Sequence, residues 1–373
     1  MKKITIILLH YNQKKYIYEA LDSILMQTYK NIELIINDDC SKDFDETAVK
    51  KYVEKNQKGN IKLVINKNKE NIGIVKSINR CVKLATGDYI SFFAADDALN
   101  NSEVVTNYVK CFEKDPRVSA WSLQCLMYDT ELKEMYYKYV TPKVKKIASK
   151  YSSKKMFSLF CSSCVFAIGA TVFKRKMLLE NPFNEEYPVI EDWPYYISMS
   201  RKGYIFGYHD FDALNHRDGG ISHNTTETPL LKKYRRDLIH VYEREVFPYF
   251  NNVSLRHRLN IIDNYDMLLE VSKYRKNRFK GNSSYKITRF VRVLIRKIRK
   301  ELYNPKNLIN YLYILIPCVL VNYLYKNMLF TKLFFWIISI PIFVLIVIHI
   351  CLSTLKLILR ILRHTSDDDV ERK

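Results

Sequence analysis

The stretch "ISFFAADDAL" runs apolar from Ile90 and then meets two adjacent acids, Asp96 and Asp97. Two carboxylates side by side repel each other unless positive charge lies between them. Converging at the end of a strand, they can hold a hard divalent cation, and that cation can bridge a diphosphate. A second acidic cluster, "NDDCSKD", supplies Asp38, Asp39, Ser41 and Asp43. With one cluster serving a metal, the other can accept hydrogen bonds from a base or a sugar. Both clusters also suit a plain structural use, since Asp and Ser cap helices.

These acids need elements to position them. Ile4–Leu9, Ile32–Asn37, Ile61–Ile65 and Tyr89–Ala94 are short apolar runs that read as buried strands. Between them, Tyr16–Gln27, Ala48–Glu54 and Val75–Leu84 carry helical apolar spacing. Strands separated by helices in this way predict an α/β fold with a doubly wound, mostly parallel sheet. In such sheets ligands bind beyond the carboxyl ends of the strands. The polar residues found there are "HYN", "NDDCSKD" and "ADD". Further on, "WSLQCLMYD" and "CVFAIGATVF" read as strands, "DWPYYISMSRKG" as a short helix closed by Gly203, and Gly219–Gly220 as a turn.

The chain has 373 residues and a formal net charge of +21, which calls for an anionic partner. The charge is uneven: residues 273–300 hold twelve Lys or Arg and no acid. In "YKITRFVRVLIRKIRKEL" the apolar side chains fall on one helical face and the cations on the other, which suits an anionic membrane surface or an ordinary packed helix. Residues 333–355 form 23 residues without Asp, Glu, Lys or Arg, enough to cross a bilayer. The 18 uncharged residues 308–325, with Pro317 among them, form either a second span or an interfacial segment. The flanking basic runs would place both ends in the cytosol. "MKKITIILLHYN" has too short an apolar run for a secretory signal and reads as the first strand. The eight cysteines show no zinc spacing, and "CSSC" (Cys161, Cys164) reads as packed thiols in a reducing cytosol. No nucleic-acid module interrupts the basic residues, so no nucleic-acid partner is expected.

Three ordered segments resemble a known family. They are "TIILLHYNQKKYIYEALDSILMQTYKNIELIINDDCSKD", "NKENIGIVKSINRCVKLATGDYISFFAADD" and "GATVFKRKMLLENPFNEEYPVIEDWPYYISMSRKGY". On these, residues 1–225 resemble family 2 of the inverting nucleotide-sugar glycosyltransferases, which have the Rossmann-like GT-A fold. The resemblance implies that Tyr11 stacks on the nucleotide base and that Asp39 reads the base edge beside Asp38. It makes Asp96 and Asp97 the ribose and metal ligands, and adds Asn12, Lys76, Asn79 and Arg217 to the nucleotide-sugar set. His216, in "NHRDGGISH", helps hold Mn²⁺ or Mg²⁺ or is an ordinary loop histidine, and Arg217 suits phosphate. Asp192 becomes the catalytic base, with Glu191 its adjacent competitor; the positive end of the following helix is expected to keep Asp192 ionised. Trp193 offers an acceptor sugar an apolar face or is core, and Gly169 lies in the same acceptor region. Many relatives read Asp-x-Asp-Asp where this chain has Ala94-Ala95-Asp96-Asp97, which leaves the division of roles between the two acids open.

The expectation is a GT-A domain over 1–225, a basic helical membrane-proximal segment over 226–305, and a membrane-anchoring region over 306–373. The enzyme would move a sugar from a nucleotide sugar, with UDP the expected carrier, to a lipid-linked (polyprenyl-diphosphate) saccharide at the cytoplasmic face of the cell membrane. The other readings are a polyprenyl-phosphate sugar synthase and a non-catalytic membrane protein that binds nucleotide or anionic lipid. A processive synthase is disfavoured, because no Gln-x-x-Arg-Trp motif is present.

Overall fold

A computed structural model describes residues 1–272, apart from 58, 60 and 221–226. The first hundred residues alternate strand and helix: β1 (Ile4–His10), α1 (Ile17–Leu25), β2 (Ile32–Asp38), α2 (Glu46–Asn56), β3 (Lys62–Lys67), α3 (Ile74–Leu84) and β4 (Tyr89–Ala94). Every residue of β2 is buried, and β1 is nearly so. That burial explains why these strands read as continuous apolar runs rather than alternating ones. Ile7, Ile35, Ile90 and Phe92 face a core shared with Val75, Ile78 and Val82 of α3. Ile6, Leu8, Leu34 and Ile36 face the opposite core, against Ile17, Leu21 and Ile24 of α1.

Then come β5 (Ala98–Leu99), α4 (Val104–Lys114), β6 (Ala120–Tyr128), β7 (Met135–Lys138), α5 (Pro142–Ala148), α6 (Ser153–Phe160), β8 (Thr171–Lys174), α7 (Arg175–Glu180), α8 (Asp192–Arg201), β9 (Phe206–Arg217), α9 (Pro229–Val241) and α10 (Leu255–Ser272). Among the described residues nine strands form one sheet in the order β3-β2-β1-β4-β8-β6-β9-β5, with β7 beside β6. The first four strands are parallel, as expected. Beyond β4 the sheet is mixed, because β8 runs antiparallel to both β4 and β6, and β5 runs antiparallel to β9. "CVFAIGATVF" is a strand only from Thr171. Before it, Ile168–Ala170 form a tight helical turn in which a Cβ on Gly169 would lie 2.6 Å from the Leu214 side chain.

α9 and α10 are built into the same core as the sheet. Ile239, Val241, Ile261 and Ile262 are buried among Trp193, Tyr196 and Phe160. Among the described residues no helix is long and apolar enough to cross a membrane. The basic segment 273–300 and the apolar stretches 308–325 and 333–355 lie outside the described residues.

Candidate active site

The carboxyl ends of β1, β2 and β4 lie side by side, since His10 pairs with Asp38 and Leu9 with Ala94. His10 Nδ1 and Asp38 Oδ1 are 2.9 Å apart, with both side chains fully buried. The Ser41 amide donates to Asp38 Oδ2 at 3.1 Å. Asn12, held at φ 53°, binds this second loop: its amide donates to Ser41 Oγ at 2.8 Å, and its side-chain oxygen accepts from the Lys42 amide at 3.2 Å. Asp39 organises a third loop. Its Oδ1 accepts from Asn68 Nδ2 (2.8 Å) and the Ile72 amide (2.9 Å), and its Oδ2 from the Gly73 amide (2.9 Å). Oδ2 therefore keeps a lone pair for a ligand. Tyr11 is 48% exposed at this edge, and Lys76 is exposed on the first turn of α3.

Asp97 sits where β5 meets β9. Its Oδ2 lies 2.9 Å from His216 Nδ1, and its Oδ1 accepts from the Arg217 amide at 3.0 Å. Burial pulls the His216 pKa down, but the carboxylates of Asp97 and Asp96 outweigh it and lift the imidazole to about 9. Burial, and then the charge of Asp97, push the Asp96 carboxyl up to about 6. One imidazolium thus serves two carboxyl groups, and the place is short of positive charge. Two carboxylates and an imidazole are the donor chemistry of a Mn²⁺ or Mg²⁺ site, so Asp96, Asp97 and His216 fit that ion in kind. Among the described residues no three His, Cys, Asp or Glu already stand grouped as metal ligands.

Arg217 corrects an expectation. Its guanidinium donates to the Asp96 carbonyl (2.8 Å), the Thr130 carbonyl (2.6 Å) and Glu19 Oε2 (2.5 Å), and it lies over the Tyr16 ring. At 4% exposure it is a wall of the site that fixes the 96–97 turn, not a hand open to phosphate. Asn79 is likewise committed. Its amide bonds Phe183 in both directions at 2.9 Å, clamping α3 to the 183–185 segment.

Glu191 and Asp192 open α8. Burial, then the neighbouring Asp192 charge, raise Glu191 to about 8. Burial also raises Asp192, so desolvation outweighs the helix dipole that was expected to hold it ionised. The two titrate as a pair. Burial thus makes the pair as a whole hold a proton to higher pH than free carboxyls do. The Trp193 amide donates to Asp192 Oδ1 at 2.6 Å, and the Cys164 thiol lies 3.4 Å from Oδ2. Trp193 itself is core. It is buried, its indole N–H donates to the Phe160 carbonyl at 2.6 Å, and its ring packs edge-on against Tyr242. It has no free face for a sugar. Gly169 is explained by the crowding against Leu214.

Sequence reasoning gave no role to His10, although "HYN" contains it, and read Cys164 as packing only. Its contact with Asp192 spans 28 residues and has no local signature.

Comparison with known proteins, rather than the geometry, supplies the enzyme class: the chain is a glycosyltransferase. Residues 5–180 match the family model described as "Glycosyl transferase family 2". An uncharacterized glycosyltransferase of Haemophilus influenzae is 25% identical over 73% of this chain and 87% of its own length. The Escherichia coli protein "UDP-Glc:alpha-D-GlcNAc-diphosphoundecaprenol beta-1,3-glucosyltransferase WfaP" is 37% identical over 26% of this chain, a match that spans 36% of that relative. The solved mannosyltransferase PcManGT of Pyrobaculum calidifontis, in complex with GDP-Man and Mn²⁺, superposes with a TM-score of 0.51 at 17% identity, over 82% of this chain and 81% of that one. It shares the fold.

Proposed function

We propose that this glycosyltransferase works with inversion and a divalent metal, moving a sugar from a nucleotide donor to a hydroxyl of a lipid-linked saccharide. The carrying observation is that its carboxyl groups form two differently held sets. Asp39 and the Asp96–Asp97 pair stand at the strand ends, where nucleotides bind in α/β sheets. Glu191 and Asp192 stand at a separate helix start, and Asp192, once ionised, can take the proton of an attacking hydroxyl. A Mn²⁺ or Mg²⁺ held by Asp96, Asp97 and His216 would supply Lewis-acid stabilisation of the departing diphosphate. Tyr11 would stack on the base, and Lys76, exposed on the first turn of α3, would meet the phosphate.

A polyprenyl-diphosphate acceptor is favoured by the printed activity of the WfaP relative, and the basic and apolar composition of residues 273–373 favours work at the cytoplasmic face of a membrane, in surface-polysaccharide synthesis. The test is a donor screen. The full chain in detergent is given a panel of nucleotide sugars, with Mn²⁺, Mg²⁺ or excess EDTA, and the anomeric configuration of the product is read by NMR. Metal-dependent transfer with inverted configuration supports the reading. Retained configuration, or full turnover in EDTA, contradicts it.

A further inference from the structure

The environment of Asp192 contains a group the reaction has not yet used. Cys164 Sγ lies 3.4 Å from Asp192 Oδ2 and 3.4 Å from the Phe166 carbonyl oxygen. A thiol has one hydrogen, so these two acceptors compete for it. An ionised carboxylate is the stronger acceptor and wins the proton; a protonated one does not. The other carboxylate oxygen is held by the Trp193 amide. The thiol and the Trp193 amide thus approach one oxygen each, both delivered by fixed parts of the fold.

The thiol is itself held in place. Tyr139 donates its hydroxyl to the Cys164 carbonyl at 2.9 Å. Two residues back, the Ser162 carbonyl accepts from Asn264 of α10 at 3.2 Å, and Ser162 Oγ donates to the Ser158 carbonyl at 3.1 Å. Burial, and then the Asp192 charge, hold the thiol pKa well above its ordinary value. The group stays S–H where the enzyme works, which makes it a donor and not a nucleophile. The titratable groups that act with Asp192 in this pocket are Glu191, Cys164, Tyr139, Tyr196 and Tyr234. No lysine or arginine appears among the groups that act on Asp192 within the described residues.

We propose that Cys164 is a positioning residue: its thiol donates to Asp192 Oδ2, fixing the carboxylate's direction and favouring its ionised form. The inference rests on Asp192 being the base, and the experiment separates the two ideas. Nucleoside diphosphate release from the preferred nucleotide sugar is followed against pH for wild type, Cys164→Ala, Cys164→Ser and Asp192→Asn. Losing a donor to the carboxylate raises its pKa, so the acid limb of kcat moves to higher pH in Cys164→Ala. On that limb the rate falls about three- to tenfold, while KM for the donor is unchanged. Cys164→Ser keeps a donor of similar size and returns the limb to the wild-type position or below it. A merely structural role would lower melting temperature in Cys164→Ala without moving the limb.

A second reading needs no turnover. The infrared S–H stretch that disappears in Cys164→Ala should move in the wild type as Asp192 titrates and stay still in Asp192→Asn. If Asp192→Asn is slow but the Cys164→Ala limb and the S–H band are unmoved by pH, the positioning role is overturned alone. If Asp192→Asn turns over at the wild-type rate, the base assignment falls and the inference falls with it.

Discussion

The proposed donor edge and base pocket are both built on acids, yet their carboxylates are held by different partners. At the donor edge, Asp38, Asp39 and Asp97 each accept at least two hydrogen bonds from backbone amides, an amide side chain or an imidazole. Such donors fix the carboxylates and the loops around them. In the base pocket, Glu191 and Asp192 face aromatic rings and a thiol, and burial drives both pKa values up. One region commits its polar groups to geometry, and under the proposed function a nucleotide would meet fixed acceptors there. The other surrounds its acids with aromatic rings and holds Asp192 by one backbone amide and one thiol. The lesson is that the partner set, and not the residue type, decides which acid binds and which reacts.

The comparison can be broken most directly at Asp192. Asp192→Asn keeps the shape and removes the basicity, and kcat should fall by about two to four orders of magnitude, measured with a saturating donor. A fall matched by Glu191→Gln, with Asp192→Asn mild, would move the base one residue back. At the donor edge, Asp39→Ala strands the amides of Ile72 and Gly73 and the Asn68 side chain. Donor affinity should weaken, and stability should fall by about 1–3 kcal/mol in urea unfolding, the cost of buried donors left unmet.

Glu191→Gln should cost kcat only a few-fold, but it should change the pH dependence of stability. A carboxyl raised to about 8 in the fold holds its proton where the unfolded chain has already lost it. Its contribution is complete below the ordinary glutamate range and is lost as pH rises through about 8. The wild-type melting temperature should therefore decline across that window, and the decline should be shallower in Glu191→Gln. Trp193→Phe is the smallest lesion. It loses the indole bond to the Phe160 carbonyl, so about 1–2 kcal/mol of stability goes, with acceptor KM unchanged. A raised acceptor KM would return Trp193 to the sugar site.

The parallel half of the sheet was legible because β1, β2 and β4 are buried on both faces, while the half-exposed β3 still carries an apolar run. The acidic clusters were legible because they follow those strands directly. The mixed half was harder to read, since the direction of β8 is set by its pairing with β4 and β6, which local sequence does not encode. Arg217, Asn79 and Trp193 were placed in the site by their types and position. The structure spends them on the Asp96 carbonyl, on Phe183 and on the Phe160 carbonyl, partners 121, 104 and 33 residues away. Cys164 was missed for the same reason. Long-range hydrogen bonding leaves no periodic trace.

The central claim is that donor binding and proton removal belong to separate carboxylates. It is tested by calorimetric titration of UDP and GDP, with Mn²⁺ present, into the wild type, Asp192→Asn and Asp97→Ala. The account predicts that Asp192→Asn binds the preferred nucleotide as tightly as wild type. It predicts that Asp97→Ala binds at least about tenfold more weakly, as expected when a charged hydrogen-bond partner is lost. Loss of nucleotide binding in Asp192→Asn, with binding intact in Asp97→Ala, would contradict it.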